Sequence, residues 1–210
     1  RAPLFARLGA PVEVFRAAGI APHVLPTAHG GSIDALGGYV ALADSLGATM
    51  NFSLLSAPVG SEELVAVIPD DAALERLAQA TLALSRNGVP VLADTPVSTS
   101  LSTTCGCGAG CAMVSVSADG EVFPCHMMHD EAFSLGSLLE DPGCLAARHA
   151  PAPRVGELAA CADCEIRYLC GGGCRARAYF ATGDVEARDP YCALMRTFYR
   201  LLFEAMLGRD

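Results

Sequence analysis

The ten cysteines of this 210-residue chain limit its fold more than any other feature: none occurs in the first 104 residues, and all lie between Cys105 and Cys192. This divides the chain into a cysteine-free half and a cysteine-rich half, with a domain boundary just before residue 105. No charged n-region followed by a short apolar run marks a secretory signal, so thiols at this density point to metal rather than to disulfides. The strongest spacing is Cys161-x2-Cys164-x5-Cys170-x3-Cys174. Four soft ligands within fourteen residues converge on a metal with little loop entropy to overcome. Gly171, Gly172 and Gly173 fill the last gap. They let the backbone turn sharply and bring amide N–H groups to sulfur, which tunes a bound cluster. A second group comprises Cys105, Cys107, Cys111 and Cys125, and Cys192 stands alone after both.

Composition narrows the function. With 52% apolar residues the chain can bury a sizeable core, yet no window approaches the eighteen or so uninterrupted apolar residues of a membrane span. It reads as a globular cytoplasmic protein. A formal charge of −9 argues against a nucleic-acid partner, which needs a basic stripe to neutralise phosphates. Every basic residue is arginine, and none lies between Arg86 and Arg148, so Asp94, Asp119, Glu121, Asp130, Glu131, Glu140 and Asp141 read as solvated surface. Arg154, Arg167, Arg175, Arg177, Arg188 and Arg196 in the second half offset the charge of thiolates, each taken singly reading as an ordinary surface arginine.

Residues 1 to 93 alternate helices and strands. Pro11 opens a short helix stopped by Gly19, and His23 to Thr27 reads as a strand. Ser32 caps a helix whose Ile33, Leu36, Tyr39, Val40, Ala43 and Leu46 form one stripe ended by Gly47. A strand at Thr49 to Leu55 follows. Asp70 or Asp71 then caps a helix with Leu74, Leu77, Ala78, Leu82 and Leu84 apolar, and Gly88 leads into a strand at Val89 to Leu92. The order βαβαβ implies a parallel sheet, with too few strands to close an eight-stranded barrel. Because the chain starts without methionine inside an ongoing α/β pattern, more of the protein is expected upstream of Arg1. Residues 94 to 104, rich in Ser, Thr and Pro, read as a linker. Beyond it, Met113 to Ser117 and Glu121 to Phe123 flank the turn Ala118-Asp119-Gly120 as a hairpin. A helix after Cys192 carries Leu194, Met195, Phe198, Tyr199, Leu202 and Met206 on a core-packing stripe that lies across the whole as a lid.

These residues resemble the SPASM domain, the twin-cluster extension of certain radical S-adenosylmethionine enzymes. Its pattern runs Cys, nine to fifteen residues, Gly-x4-Cys, then Cys-x2-Cys-x5-Cys-x3-Cys, then a final Cys. Cys105 or Cys107 serves as the first, Gly120 and Cys125 fit the next element, and Cys192 closes the series. Phe133 to Leu138 looks like the family's short segment after the hairpin. The likeness covers about 105 to 195; residues 1 to 93 are compatible with the C-terminal half of a partial (β/α) barrel, and 196 to 210 form a C-terminal helix.

The resemblance implies two auxiliary [4Fe–4S] clusters. By position in the anaerobic sulfatase maturases, Cys105, Cys111, Cys125 and Cys174 would hold the first and Cys161, Cys164, Cys170 and Cys192 the second. Cys107 and Cys144 are left over. S-adenosylmethionine, a third cluster on a Cys-x3-Cys-x2-Cys loop, a peptide or protein substrate and a reductant such as flavodoxin or ferredoxin are implied for the full-length enzyme. That loop is not among these residues, and position 114 after Cys107-x3-Cys111 is valine, so this chain alone is expected to be inactive. Where sulfatase maturases carry an acid after the cysteine of Gly-x4-Cys, this chain has His126, a base near neutral pH. His129 has less claim to that role. The departure favours a ribosomal-peptide maturase forming a thioether or carbon–carbon crosslink over formylglycine formation. The rival readings are a structural zinc protein, whose ribbons usually offer two separated Cys-x2-Cys knuckles, and a ferredoxin-like electron carrier, which leaves the α/β half unexplained.

Overall fold

The computed structural model describes residues 4–56, 62–86, 107–145 and 153–208. The strand expected at Val89 to Leu92, the linker at 94–104 and Cys105 lie outside the described residues. These fall into two compact units, one made of the chain up to Arg86 together with 193–208, the other of 107–192.

The first unit opens with helix α1, Leu4–Ala17. Pro11 lies inside this helix rather than at its start. The good helix formers Leu4 to Leu8 extend it N-terminally despite the donor that proline lacks. Gly19, at φ +76°, ends it. Strands β1, His23–Val24, and β2, Thr27–Ala28, are joined through a 3-10 turn at Ile33–Ala35 and helix α2, Leu36–Leu46, to β3, Thr49–Met50, and β4, Ser53–Leu54. His23 stands opposite Thr49 and Thr27 opposite Ser53, both parallel and in one register. The N–H groups of Thr49, Asn51, Ser53 and Leu55 donate to the carbonyls of Pro22, Val24, Pro26 and Ala28 at 3.0–3.2 Å. This is one ribbon. Pro26, without an N–H, removes a return bond and leaves two short pairs in place of two long strands.

Ser32 does not cap the turn that follows it. Its Oγ instead accepts the His29 N–H at 3.0 Å and donates to the Thr27 carbonyl at 3.1 Å, holding the exit of β2. After the single turn α3, Glu62–Val65, comes α4, Asp71–Arg86, where Asp70 Oδ1 accepts the Ala73 N–H at 2.7 Å and is the cap. The core of this unit gathers Ile33, Leu36 and Ala43 from the turn and α2, Ala28, Met50, Phe52 and Leu54 from the ribbon, and Leu74, Leu77 and Ala78 from α4.

The second unit has little regular structure. Strands β5, Ser115–Val116, β6, Glu121–Phe123, and β7, Gly136–Ser137, form an antiparallel meander. The expected hairpin turn is present: the Gly120 N–H donates to the Ser117 carbonyl at 3.0 Å, and Gly120 has φ +88°. A Cβ there would also meet Leu139 Cγ at 2.8 Å, so the glycine of Gly-x4-Cys is required twice over. Short helices α5, Arg167–Cys170, and α6, Arg175–Thr182, follow a 3-10 turn at Ala159–Cys161. Among the described residues, two small apolar clusters of this unit contain cysteine. Ala109, Cys125, Met128 and Ala176 form one, with Cys107, Phe133, Cys174 and Phe180 packed against it. Val155, Leu158 and Cys161 form the other.

Helix α7, Cys192–Met206, returns the chain to the first unit. Leu194, Met195, Phe198 and Tyr199 are buried as expected, but Met206 is 68% exposed, so the apolar stripe ends before the last turn.

Truncating Leu77, fully enclosed in the first unit, should destabilise the protein by about 2–5 kcal/mol in guanidinium unfolding. Val14→Ala on the open face of α1 should stay within about 0.5 kcal/mol of the parent.

Candidate metal centre

The Gly171-Gly172-Gly173 run decides where the sulfurs of the strongest motif go. Cys170 ends α5, and Cys174 occupies the N-cap of α6 with extended backbone at φ −88°, ψ 121°. Between them all three glycines have positive φ, at 71°, 94° and 73°. A Cβ on Gly172 would meet Leu158 Cδ1 at 2.8 Å, and one on Gly173 would meet Asp189 Oδ2 at 2.5 Å. Only glycine fits this reversal, which sends two cysteines four positions apart to different neighbourhoods.

Electrostatics separates those neighbourhoods. Burial pushes the Cys170 thiol up to about 11, with Asp189, Cys164 and Cys161 adding to the rise and the Gly172 N–H opposing it. Burial also pushes Cys192 up to about 12, Asp189, Cys170 and Cys161 adding and Arg188 opposing. Cys170 thus senses Cys161 and Cys164, and Cys192 senses Cys161 and Cys170, which groups these four thiols as one set. Cys125 is raised by burial and by Cys174 and Cys107, against the N–H groups of Met127 and Met128. Cys174 is raised by burial and by Asp189 and Cys107, against the Arg177 charge and backbone N–H. Cys107, Cys125 and Cys174 are the second set.

Cys107 was left out of the ligands implied by resemblance, yet it packs against the core that holds Cys125, as does Cys174. Cys111 is exposed, its Sγ directed at the carbonyls of Gly108 and Cys107 at 3.6 and 4.0 Å. Cys144 is buried away at the 3-10 turn Pro142–Leu145.

A buried ion pair joins the two sets. Arg177 Nε and Nη2 donate to Asp189 Oδ1 and Oδ2 at 3.2 and 2.9 Å, with side chains 5% and 4% exposed. The same carboxylate accepts the Cys174 N–H at 2.6 Å on Oδ2 and the Tyr191 N–H at 2.9 Å on Oδ1. The Asp189 carbonyl accepts the Cys192 N–H at 3.1 Å. The Arg177 guanidinium lies 4.9 Å from the Tyr191 ring centroid, and its pKa is raised because the Asp189 charge and hydrogen bonds outweigh its burial. Arg175, also buried, donates to the carbonyls of Val185 and Ala187 at 2.9 Å and to that of Gly172, tying the glycine run to the segment before Asp189. Neither arginine is the surface residue that its charge alone suggests. Their sequence signal is Arg-x-Arg directly after a cysteine, with Asp-Pro shortly before the last one.

An all-thiol donor set is the chemistry of soft metals, zinc or iron–sulfur. Among the described residues, no three His, Cys, Asp or Glu side chains gather closely enough to chelate one metal ion. Amide N–H groups from Gly172, Met127, Met128 and Arg177 already approach the sulfurs of Cys170, Cys125 and Cys174, the hydrogen bonds that stabilise cluster-bound thiolate. The raised thiol pKa values mean that loading must displace protons.

His129 is committed elsewhere, its Nε2 2.7 Å from Ser115 Oγ and its ring stacked on Phe123 at 4.4 Å between centroids. His126 is exposed beside buried Cys125.

In fold, the chain resembles proteins of known structure. Native anSMEcpe, solved with bound AdoMet and Cp18Cys peptide, matches 97% of this chain and 62% of its own at a TM-score of 0.70 and 15% identity. Streptococcus suis SuiB bound to S-adenosylmethionine matches 89% of this chain and 48% of its own at 0.59 and 15%. The chain therefore spans about three-fifths and one-half of these two proteins. Both likenesses show a shared fold. No protein-family model and no curated protein matches the sequence.

Gly173→Ala and Gly183→Ala both place alanine at positive φ, but only the first meets a neighbour, since nothing lies within 4 Å of a Cβ at Gly183. Gly183→Ala should cost about 1 kcal/mol. Gly173→Ala should cost clearly more and lower bound iron, as read by thermal unfolding and iron analysis of the purified protein.

Proposed function

We propose that this chain is part of a radical S-adenosylmethionine/SPASM maturase that modifies a peptide or protein, its first unit belonging to a partial (β/α) barrel and its second holding two auxiliary [4Fe–4S] clusters. The observation that carries the reading is the division of the thiols into two sets by the Gly171–Gly173 reversal, in a chain whose fold is shared with anSMEcpe and SuiB.

Cys161, Cys164, Cys170 and Cys192 hold one cluster. Cys125 and Cys174 hold the other, with Cys105, Cys107 and Cys111 competing for its two remaining places. The resemblance favours Cys105 and Cys111. The packing of Cys107 beside the Cys125 core, and the exposed Cys111 turned to its own loop, support Cys107 as an occupant of one place. When bound, such clusters supply one-electron transfer and a surface on which substrate can be oriented. The chain's own residues hold them, shield them and present His126, which is exposed and open to a peptide. The peptide bound to anSMEcpe supports a peptide substrate. His126 in place of an acid supports crosslink formation on a ribosomal peptide over formylglycine formation. The S-adenosylmethionine-cleaving cluster would be held on a Cys-x3-Cys-x2-Cys loop absent from these 210 residues, and a flavodoxin or ferredoxin would reduce the enzyme.

Anaerobic purification followed by iron, sulfide and zinc analysis tests the reading. About eight irons and eight sulfides per chain are expected; zinc without sulfide contradicts it. Cys107→Ala should lose about four irons or more while Cys144→Ala keeps all eight, and full iron in Cys107→Ala would return both places to Cys105 and Cys111. Formylglycine made by the full-length enzyme on a sulfatase-derived peptide would overturn the crosslinking assignment.

A further inference from the structure

We infer that Arg177 and Asp189 form a positioning pair shared by the two cluster sites, through which one buried charge balance sets the reduction potentials of both. The inference rests on the two-cluster reading and goes beyond it by naming what couples the clusters.

The geometry is that of a hub. Asp189 reaches the Cys174 amide through its side chain and the Cys192 amide through its main chain, so one residue orders a thiol from each set. Its carboxylate accepts from four donors: two guanidinium nitrogens and the amides of Cys174 and Tyr191. With both side chains almost wholly enclosed, water screens neither charge well, so each acts on its surroundings at longer range than a surface pair would. The Asp189 charge is sensed by Cys170, Cys174 and Cys192, members of both sets, and the Arg177 charge opposes it at Cys174. Gly173 is excluded from carrying a side chain by the Asp189 carboxylate itself, so the hub also fixes the reversal that separates the two sets.

A cluster gains an electron on reduction, and its potential follows the net charge near it. Removing the carboxylate charge while leaving Arg177 should make both clusters easier to reduce. Removing the guanidinium while leaving Asp189 should make both harder to reduce. A pair that only held the fold would move stability without this opposed pattern.

The test is an EPR-monitored redox titration of the full-length holo-protein in four variants. Asp189→Asn, whose single side-chain oxygen can accept from only one of the Cys174 and Tyr191 amides, should keep the eight irons of the two auxiliary clusters with both of their midpoint potentials shifted upward. Arg177→Met should shift both downward, and Arg177→Lys should lie near wild type. Where a single charge removal prevents loading, Arg177→Met/Asp189→Asn, neutral on both sides, should load and return both potentials toward wild type. The inference is overturned if a loaded charge variant moves one cluster alone or neither. It is equally overturned if every charge-altering variant loses its iron while wild type and Arg177→Lys keep theirs. Wild-type protein without iron and sulfide would instead refute the two-cluster reading.

Discussion

The buried ion pair between Arg177 and Asp189 is the constraint on which the cysteine-rich unit depends. Removing one partner of such a pair typically costs about 3–5 kcal/mol, because the other charge is left enclosed and uncompensated. Here the loss would not stay local. Asp189 holds the first amide of α6's cap at Cys174 and the turn that leads into α7 at Cys192. Arg175, two residues earlier on α6, holds the glycine run and the segment before Asp189 by three carbonyls. The two arginines and one aspartate therefore do for residues 170–192 what a hydrophobic core does for the first unit.

That substitution of polar links for apolar packing follows from size. Among the described residues, two of the second unit's apolar clusters are small and built partly from cysteine, and its strands are short enough to be marginal alone in water. On the proposed reading, cluster ligation would cross-link such a unit through thiols that also line its cores, and binding would be coupled to folding. The raised pKa of Cys170 and Cys192 belongs to the same arrangement: enclosed thiols are poor anions until metal takes the place of the proton.

Much of this was legible in the sequence where chemistry is local. Gly19 and Gly47 stop helices because φ must turn positive there, Asp70 caps α4 with its own carboxylate, and Ala118-Asp119-Gly120 turns a hairpin. The cysteine spacing marked the half for which metal chemistry is proposed. The rest depends on partners distant in sequence. Pro11 reads as a helix start, yet the flanking residues carry α1 through it, and Ser32 reads as a cap, yet the Thr27 carbonyl claims its hydroxyl. Arg177 looks like any surface arginine until Asp189, twelve residues on, folds over it. The resemblance favoured Cys105 and Cys111 over Cys107, and only folding brings Cys107 against the core holding Cys125.

The central claim is that adjacent members of one motif, Cys170 and Cys174, serve different clusters. Anomalous diffraction at the iron edge from anaerobically grown crystals measures this directly. The account predicts two separate four-iron peaks, Cys170 Sγ bonded to the one shared with Cys161, Cys164 and Cys192, and Cys174 Sγ bonded to the one shared with Cys125. Cys170 and Cys174 bonded to the same cluster, or a single zinc peak among Cys161, Cys164, Cys170 and Cys174, would contradict it.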